Sequence, residues 1–292
     1  MSNLTLGVDV SDVIARLAIV SSDGEIVTQG IVSSLRAAAI KEAAKKAVAS
    51  AKGKVTAVAV ALPGAGDSVP ADLVEALAGI GKNAPTAIAA GTAAAIAEHW
   101  GGAARGVKQM ITFSIAEHVT AGVLIDGTPF KGANGLASAV GWLALNPVER
   151  EDYRRLGGLE AEVASAGIVR RFVWRIKSGD QSKVADQVKG DFSKIAAADI
   201  IQGARSGDGV SISVVRDTAK YAGMAVANLV TMFDPQMVVL GGMIASSGDI
   251  MLDAIRTETL RRLLPQQAEQ VRIELSSLGD DAIAIGAARA FA

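Results

Sequence analysis

The chain has 292 residues, a formal net charge of −1 and no cysteine. Disulfides, thiol catalysis and thiolate metal sites are therefore excluded, and 29 basic against 30 acidic side chains leave no basic surplus to hold nucleic acid. Half the residues are apolar but only 4% are aromatic, so a sizeable core is available and small side chains must pack it. The length fits one large domain or two medium ones. Met1–Thr5 lack a basic region followed by an apolar core, so no signal peptide is expected. The weakly polar stretch Ala84–Ala97 is interrupted by Thr86, Gly91 and Thr92, and reads as a buried or amphipathic helix rather than a bilayer span. The expectation is a cytoplasmic protein with neither a membrane nor a nucleic-acid partner.

In chain order, Leu4–Val10, Val13–Val20 and Gly24–Val32 read as three strands, with Ser21 to Gly24 as a hairpin signal. A helix is predicted over Ser34–Lys52, where Lys and Glu alternate with Ala and Ile at helical spacing. Then come a Val/Ala strand, Lys54–Leu62, ended by Pro63-Gly64, a helix at Ala71–Gly79, a strand at Thr86–Ala89 and a helix at Thr92–Trp100. The same order follows again. Gln109–Ile115, His118–Ile125 and Thr128–Lys131 are predicted strands, with Asp126-Gly127 as a turn. After a mixed polar, helical insertion over about 148–206, a long helix covers Val210–Phe233. A strand at Met237–Leu240, a helix at Asp249–Leu264, a strand at Val271–Leu275 and a helix at Asp281–Phe291 complete the pattern. The topology is duplicated, although the letters are not. An α/β fold of two lobes across a cleft is expected, with residues 1–105 and the final helix 281–292 in one lobe and 106–280 in the other.

Three segments carry a family resemblance: Lys220–Val230, Asp234–Met243 and Ser276–Ala288. Together they resemble the ROK family of sugar kinases and sugar-responsive regulators, and the resemblance spans nearly the whole chain. It implies the two-lobed, actin-like ATPase (ribonuclease H-like) duplication with an interlobe cleft. Family chemistry needs backbone N–H groups around the phosphates, a carboxylate near Mg²⁺ and a base for the sugar hydroxyl. Asp9 matches the family aspartate on the first strand. The Gly-Gly-Thr turn that should follow is Ser11, Asp12 and Val13, without the glycines that let backbone approach a phosphate. The second phosphate turn, Gly-Thr-Gly-Ile-Gly-Gly-Gly in the family, is Ala116 to Gly122, where only Gly122 survives and Glu117 adds a carboxylate. Ala90 stands at the position of the catalytic base and Ala89 at that of a hydroxyl-binding Asn. A general base contributes about 10²–10⁴ in rate, which alanine cannot supply. Glu98 matches a helix-end glutamate but lies about 12 Å along the helix from Ala90.

On the sugar side, Lys131 to Gly135 match the family's Arg-Gly-Ala-Asn-Gly loop, which assigns Gly132 and Asn134 to substrate, and Glu160 matches a sugar-contacting glutamate. A second sugar glutamate is replaced by Ala139 and the zinc histidine by Trp142. No zinc is expected, and Trp142, Tyr153 and Leu156 are expected to fill its place with apolar packing. Gly241 and Gly242 locate the adenine-side turn. The resemblance thus implies a sugar-kinase-like protein, without phosphotransferase activity or confident cofactor, that binds a small sugar-like ligand as a regulatory homo-oligomer. The alternative is an active ATP- and Mg²⁺-dependent hexose or amino-sugar kinase, with Glu117, Asp126 or Asp9 supplying base and metal ligation. A third reading builds different chemistry on Glu117, His118 and Glu160, though Glu117 and His118 would point to opposite faces of a strand. Family regulators carry an N-terminal winged helix-turn-helix, whereas this sequence opens on its first strand. Direct DNA binding is therefore not expected.

Overall fold

The computed structural model describes residues 3–64 and 66–292; positions 1, 2 and 65, and with them the first two residues of the terminus read for a leader, lie outside. The first lobe runs β1 (Asn3–Asp9), β2 (Ala15–Ser21), β3 (Ile26–Val32), α1 (Ala37–Ser50), β4 (Lys54–Leu62), α2 (Ala71–Leu77), β5 (Thr86–Ala89) and α3 (Ala90–Gly101). The second opens with β6 (Met110–Ile115), β7 (Val119–Ile125) and β8 (Thr128–Pro129). Five helices form the insertion: α4 (Glu151–Leu156), α5 (Gly158–Val163), α6 (Ser165–Lys177), α7 (Lys183–Gln187) and α8 (Ala197–Arg205). The chain closes with α9 (Gly209–Phe233), β9 (Met237–Gly242), α10 (Met243–Ser246), α11 (Gly248–Leu260), α12 (Pro265–Gln270), β10 (Arg272–Leu275) and α13 (Ala282–Arg289).

The strand orders are β3-β2-β1-β4-β5 and β8-β7-β6-β9-β10, so the two sheets repeat one topology, as the sequence predicts. In the first sheet β1 runs antiparallel to β2 (Gly7 opposite Ala18) and parallel to β4 (Gly7 opposite Ala59). Period-two alternation gives β1 two buried faces. Leu4, Leu6 and Val8 pack with Ile40 of α1 and Leu73 and Leu77 of α2. Gly7, on the other face, lies so close to α13 that a Cβ there would overlap the backbone of Ala284 and Ala288. The final helix therefore returns to the first sheet.

α3 is wedged between the lobes. Ala93 packs with Ala59, Ala61 and Ala287, while Ala95 packs with Met110, Leu124 and Val239 of the second sheet. Only small side chains allow this approach, which accounts for the low aromatic content. The larger core lies beyond the second sheet, where Phe113 and Ile111 meet α9, α11 and the insertion, including Ile168 and Phe172.

Several boundaries differ from expectation. α3 starts at Ala90 rather than Thr92. The helix predicted over Asp249–Leu264 is α11, which stops at Leu260; a further short helix, α12, was not expected and opens at Pro265, a residue suited to a first helical turn. β8 stops at Pro129 rather than Lys131, although the Phe130 N–H still donates to the Val123 carbonyl of β7 at 2.8 Å. Among the described residues no helix is long and apolar enough to cross a membrane.

Candidate functional site

On the phosphate side, β1 delivers Asp9 into the cleft, where it is 3% exposed. Its Oδ1 accepts bonds from the Ser11 N–H at 2.9 Å and the Ser11 hydroxyl at 2.6 Å. Burial pushes its carboxyl up to about 6, opposed by the Ser11 bonds; Asp12 raises it further and Arg16 lowers it. Asp12 accepts from the Val13 N–H at 2.7 Å, so the turn that replaces the glycine turn satisfies itself with its own carboxylates. The cavity beside it measures only about 50 Å³. Since one water occupies about 10–15 Å³ on this measure, a few waters fill it. Its rim carries Asp9, Asp12, Glu98 and Asp280 against Arg16 and His118, which lines this cavity as well as the open one; Arg16 is paired with Asp280 at 2.8 Å and Asp281 at 3.2 Å. The cavity is narrow, and carboxylates outnumber cations on its rim.

Of the glycines assigned to cofactor, Gly241 and Gly242 line the narrow cavity and Gly122 does not, and all three allow close packing. Gly122 lies within β7, where a Cβ would overlap the Gly91 carbonyl of α3. Gly241 packs against the Ser114 hydroxyl, and Gly242, at φ 60°, brings the end of β9 onto the Ile115 carbonyl of β6. Ala90 is fully buried at the first position of α3, and neither it nor Ala89 provides a capping or proton-accepting side chain. Glu98 is also committed: it accepts from the Ala103 N–H at 2.7 Å and from the Ser276 hydroxyl, tying the end of α3 to the segment after β10.

The sugar side is open. A cavity of about 610 Å³ is lined by Asp67, His118, Leu136, Trp142, Arg155 and Glu160, among others. Glu160, in the first turn of α5, receives His118 Nδ1 at 2.9 Å on one oxygen and the Val119 N–H at 2.7 Å on the other. The Glu160 bond raises the His118 pKa above its ordinary value, against an opposing effect of burial. The structure thus joins His118 to Glu160, which sequence spacing could not reveal because 42 residues separate them. Gly132 and Asn134 are exposed and do not line this cavity. Gly132 supplies a positive φ of 71° to the loop that leads to Leu136 and Ala137, which do line it.

The expected apolar filling of the zinc region is corrected. Trp142 is 60% and Leu156 40% exposed, and Tyr153 turns its hydroxyl to buried Glu162. Glu162 also receives Arg150 at 3.3 Å and lies 3.8 Å from Arg171, while Asp152 pairs with Arg170. A polar cluster on α4–α6 therefore pins this segment, because a single buried carboxylate needs several donors. No hydrophobic pattern signals it in the sequence. Among the described residues no group of three His, Cys, Asp or Glu side chains could hold a metal ion.

The ROK family model matches residues 5–292. A glucokinase of Halalkalibacterium halodurans is 30% identical over 198 residues, covering 66% of this chain and 59% of that protein. The DNA-binding transcriptional dual regulator NagC of Escherichia coli is 28% identical over 164 residues, covering 56% of this chain and 39% of the regulator. The chain therefore spans less than two thirds of the length of either relative. A ROK family glucokinase from Streptomyces griseus, solved with glucose and AMPPNP, superposes with a TM-score of 0.79 at 24% identity over 98% of both chains. That likeness gives the two-lobed, actin-like ATPase architecture expected from the duplicated strand order.

Proposed function

The chain belongs to the ROK family, and on that premise we propose that it binds a sugar-like ligand in the interlobe cleft without transferring phosphate to it. The observation that carries this reading is the contrast between the two ends of the cleft: about 610 Å³ on the sugar side and about 50 Å³, rimmed by carboxylates, on the phosphate side. Alanine at position 90 supports it, since no side chain there can take a proton from an alcohol. His118, held by Glu160, replaces a glycine of the family's phosphate turn with a polar group on the wall of the open cavity. Glu160 and His118 then meet ligand hydroxyls, while Trp142 and Leu136 provide the apolar surface on which a sugar ring packs.

Nucleic-acid binding is not excluded by family membership, because NagC is by name a DNA-binding regulator. A regulatory role and a homo-oligomeric assembly belong to the same proposal.

The second reading, an ATP-dependent sugar kinase, rests on one observation: Asp9 keeps its place at the end of β1, inside the cleft. One experiment separates the two. Melting temperature is measured with millimolar sugars and, separately, with Mg-ATP, alongside an ADP-release assay over a hexose panel. A sugar at 100 times its Kd stabilises by about 2.7 kcal/mol, enough to shift the melt by several degrees. The expected result is a shift with at least one sugar, none with Mg-ATP and no turnover. Sugar-dependent ADP release abolished by Asp9→Ala would establish the kinase reading instead.

A further inference from the structure

A groove of about 900 Å³ runs along the flank of α3 and adjoins the cavity at Glu160, with which it shares Asp67, Ala89 and Ala137. One face of α3 lines it through Thr92, Ile96, His99 and Trp100, which follow helical spacing and are all half-buried. From Ala90 to Trp100 the helix rises about 15 Å, so the far end of the groove is well removed from Glu160 and His118. Both lobes contribute: β5, α3 and the end of α13 from one, β7, β8 and Lys131 from the other.

Its charge departs from that of the molecule. The chain as a whole is nearly neutral, yet Arg105, Lys131 and Arg289 line this groove with one carboxylate, Asp67. Asp67 is already engaged, accepting from the Gly64 N–H at 2.9 Å. None of the three cations forms a salt bridge among the described residues, whereas most other arginines do. Arg289 instead lies over the Trp100 ring, with its guanidinium carbon 6.0 Å from the ring centroid. His99 donates its Nδ1 proton to the Val107 carbonyl at 2.9 Å, which fixes the ring and leaves Nε2 without a proton in the neutral form. The remaining wall is apolar: Ile96, Leu124, Pro129 and Phe291.

From this juxtaposition we infer that the α3 groove is a second ligand site, for a small organic anion with a flat apolar body. Its volume lies within the range of small-molecule sites. Guanidinium groups bind carboxylate, phosphate and sulfonate oxygens in paired geometry, and Arg289 on Trp100 is preorganised for that contact. The anion neutralises cations that the protein leaves unpaired, and the ring covers Ile96 and Phe291. Such a ligand touches both lobes at once. It is separable from the sugar reading because Arg105, Lys131 and Arg289 do not line the cavity at Glu160, although Asp67, Ala89 and Ala137 line both.

The test uses the full chain and 8-anilinonaphthalene-1-sulfonate, a flat ring system carrying one anionic group, titrated by fluorescence under native conditions. Saturable binding at one site is expected. The double variant R105E/R289E weakens it at least tenfold, while R105K/R289K stays within threefold, and circular dichroism melts check that both are folded. Phenyl phosphate displaces the probe, and uncharged phenol does so at least tenfold less well. The inference is overturned by an absence of saturable binding, by an unchanged Kd in the charge-reversed variant, or by equal displacement with phenol.

Discussion

Asp9 carries a pH-dependent cost. Burial in the folded protein raises its carboxyl from 3.8 to about 6, so the native state holds the proton more tightly than the unfolded chain does. Its favourable contribution is complete below about pH 4 and is lost as pH rises through 6. The rise corresponds to about 3 kcal/mol. In Asp9→Asn the group no longer titrates, and the amide oxygen still accepts from Ser11. The variant should therefore gain on the wild type between pH 4.5 and 7.5 by about 2 kcal/mol, read from urea denaturation at both pH values. Parallel stability profiles would remove this account. His118 has the same sign: its pairing with Glu160 stabilises the fold while the imidazole is protonated and the carboxylate ionised, and weakens as the pH rises through the histidine's folded value. Its side chain is 45% exposed, so solvent screens the pair and the effect on stability is small.

At the scale of elements, α3 shows how close packing can outweigh propensity. Alanine is favoured over glycine in a helix by about 1 kcal/mol. At Gly91, however, a Cβ would overlap the backbone of Ala121 on β7, which has no flexible end to move aside. Overpacking of this kind costs about 1–3 kcal/mol, and the Thr112 hydroxyl bond to the Gly91 carbonyl at 3.0 Å would be disturbed as well. Gly91→Ala should lose about 2 kcal/mol in urea denaturation, and a neutral or stabilised variant would show that the crossing is loose. The element order was readable because its punctuation is local: Ser21 to Gly24, Pro63-Gly64 and Asp126-Gly127 each mark a chain reversal or break. The end of α11 was less legible, since Leu263 and Leu264 continue the apolar pattern beyond Leu260, where the helix stops. The candidate site was legible where it depends on residue type, as with Ala90 and Asp12. It was illegible where it depends on contact, as with Tyr153 on Glu162, because pairs distant along the chain leave no periodic trace; His118 and Glu160 were grouped as candidates, but their direct bond was not foreseen. Asn134 shows the limit from the other side: a matching loop motif located the strand exit but not the cavity wall.

Across the whole molecule, two helices bind the lobes into one unit. α3 packs on β6 and β7 as well as on α13, and Glu98 links its end to Ser276 beyond β10. α13 lies on β1 and β2, Arg16 pairs with Asp280 and Asp281 at its start, and the Thr5 hydroxyl donates to the Phe291 carbonyl at 3.3 Å at its end. Neither sheet can lose its helices without uncovering the other's apolar face. Calorimetry should therefore record one transition whose van't Hoff and calorimetric enthalpies agree, despite the two cores. The same coupling bears on ligand binding. Ala89 and Gly91 at the start of α3 line the same cavity as Glu160 on α5, so a sugar bound there as proposed should raise the midpoint of that single transition rather than split it. Two resolved transitions, with only the later one shifted by sugar, would mean that α3 and α13 do not transmit stability between the lobes and that the second lobe alone holds the ligand.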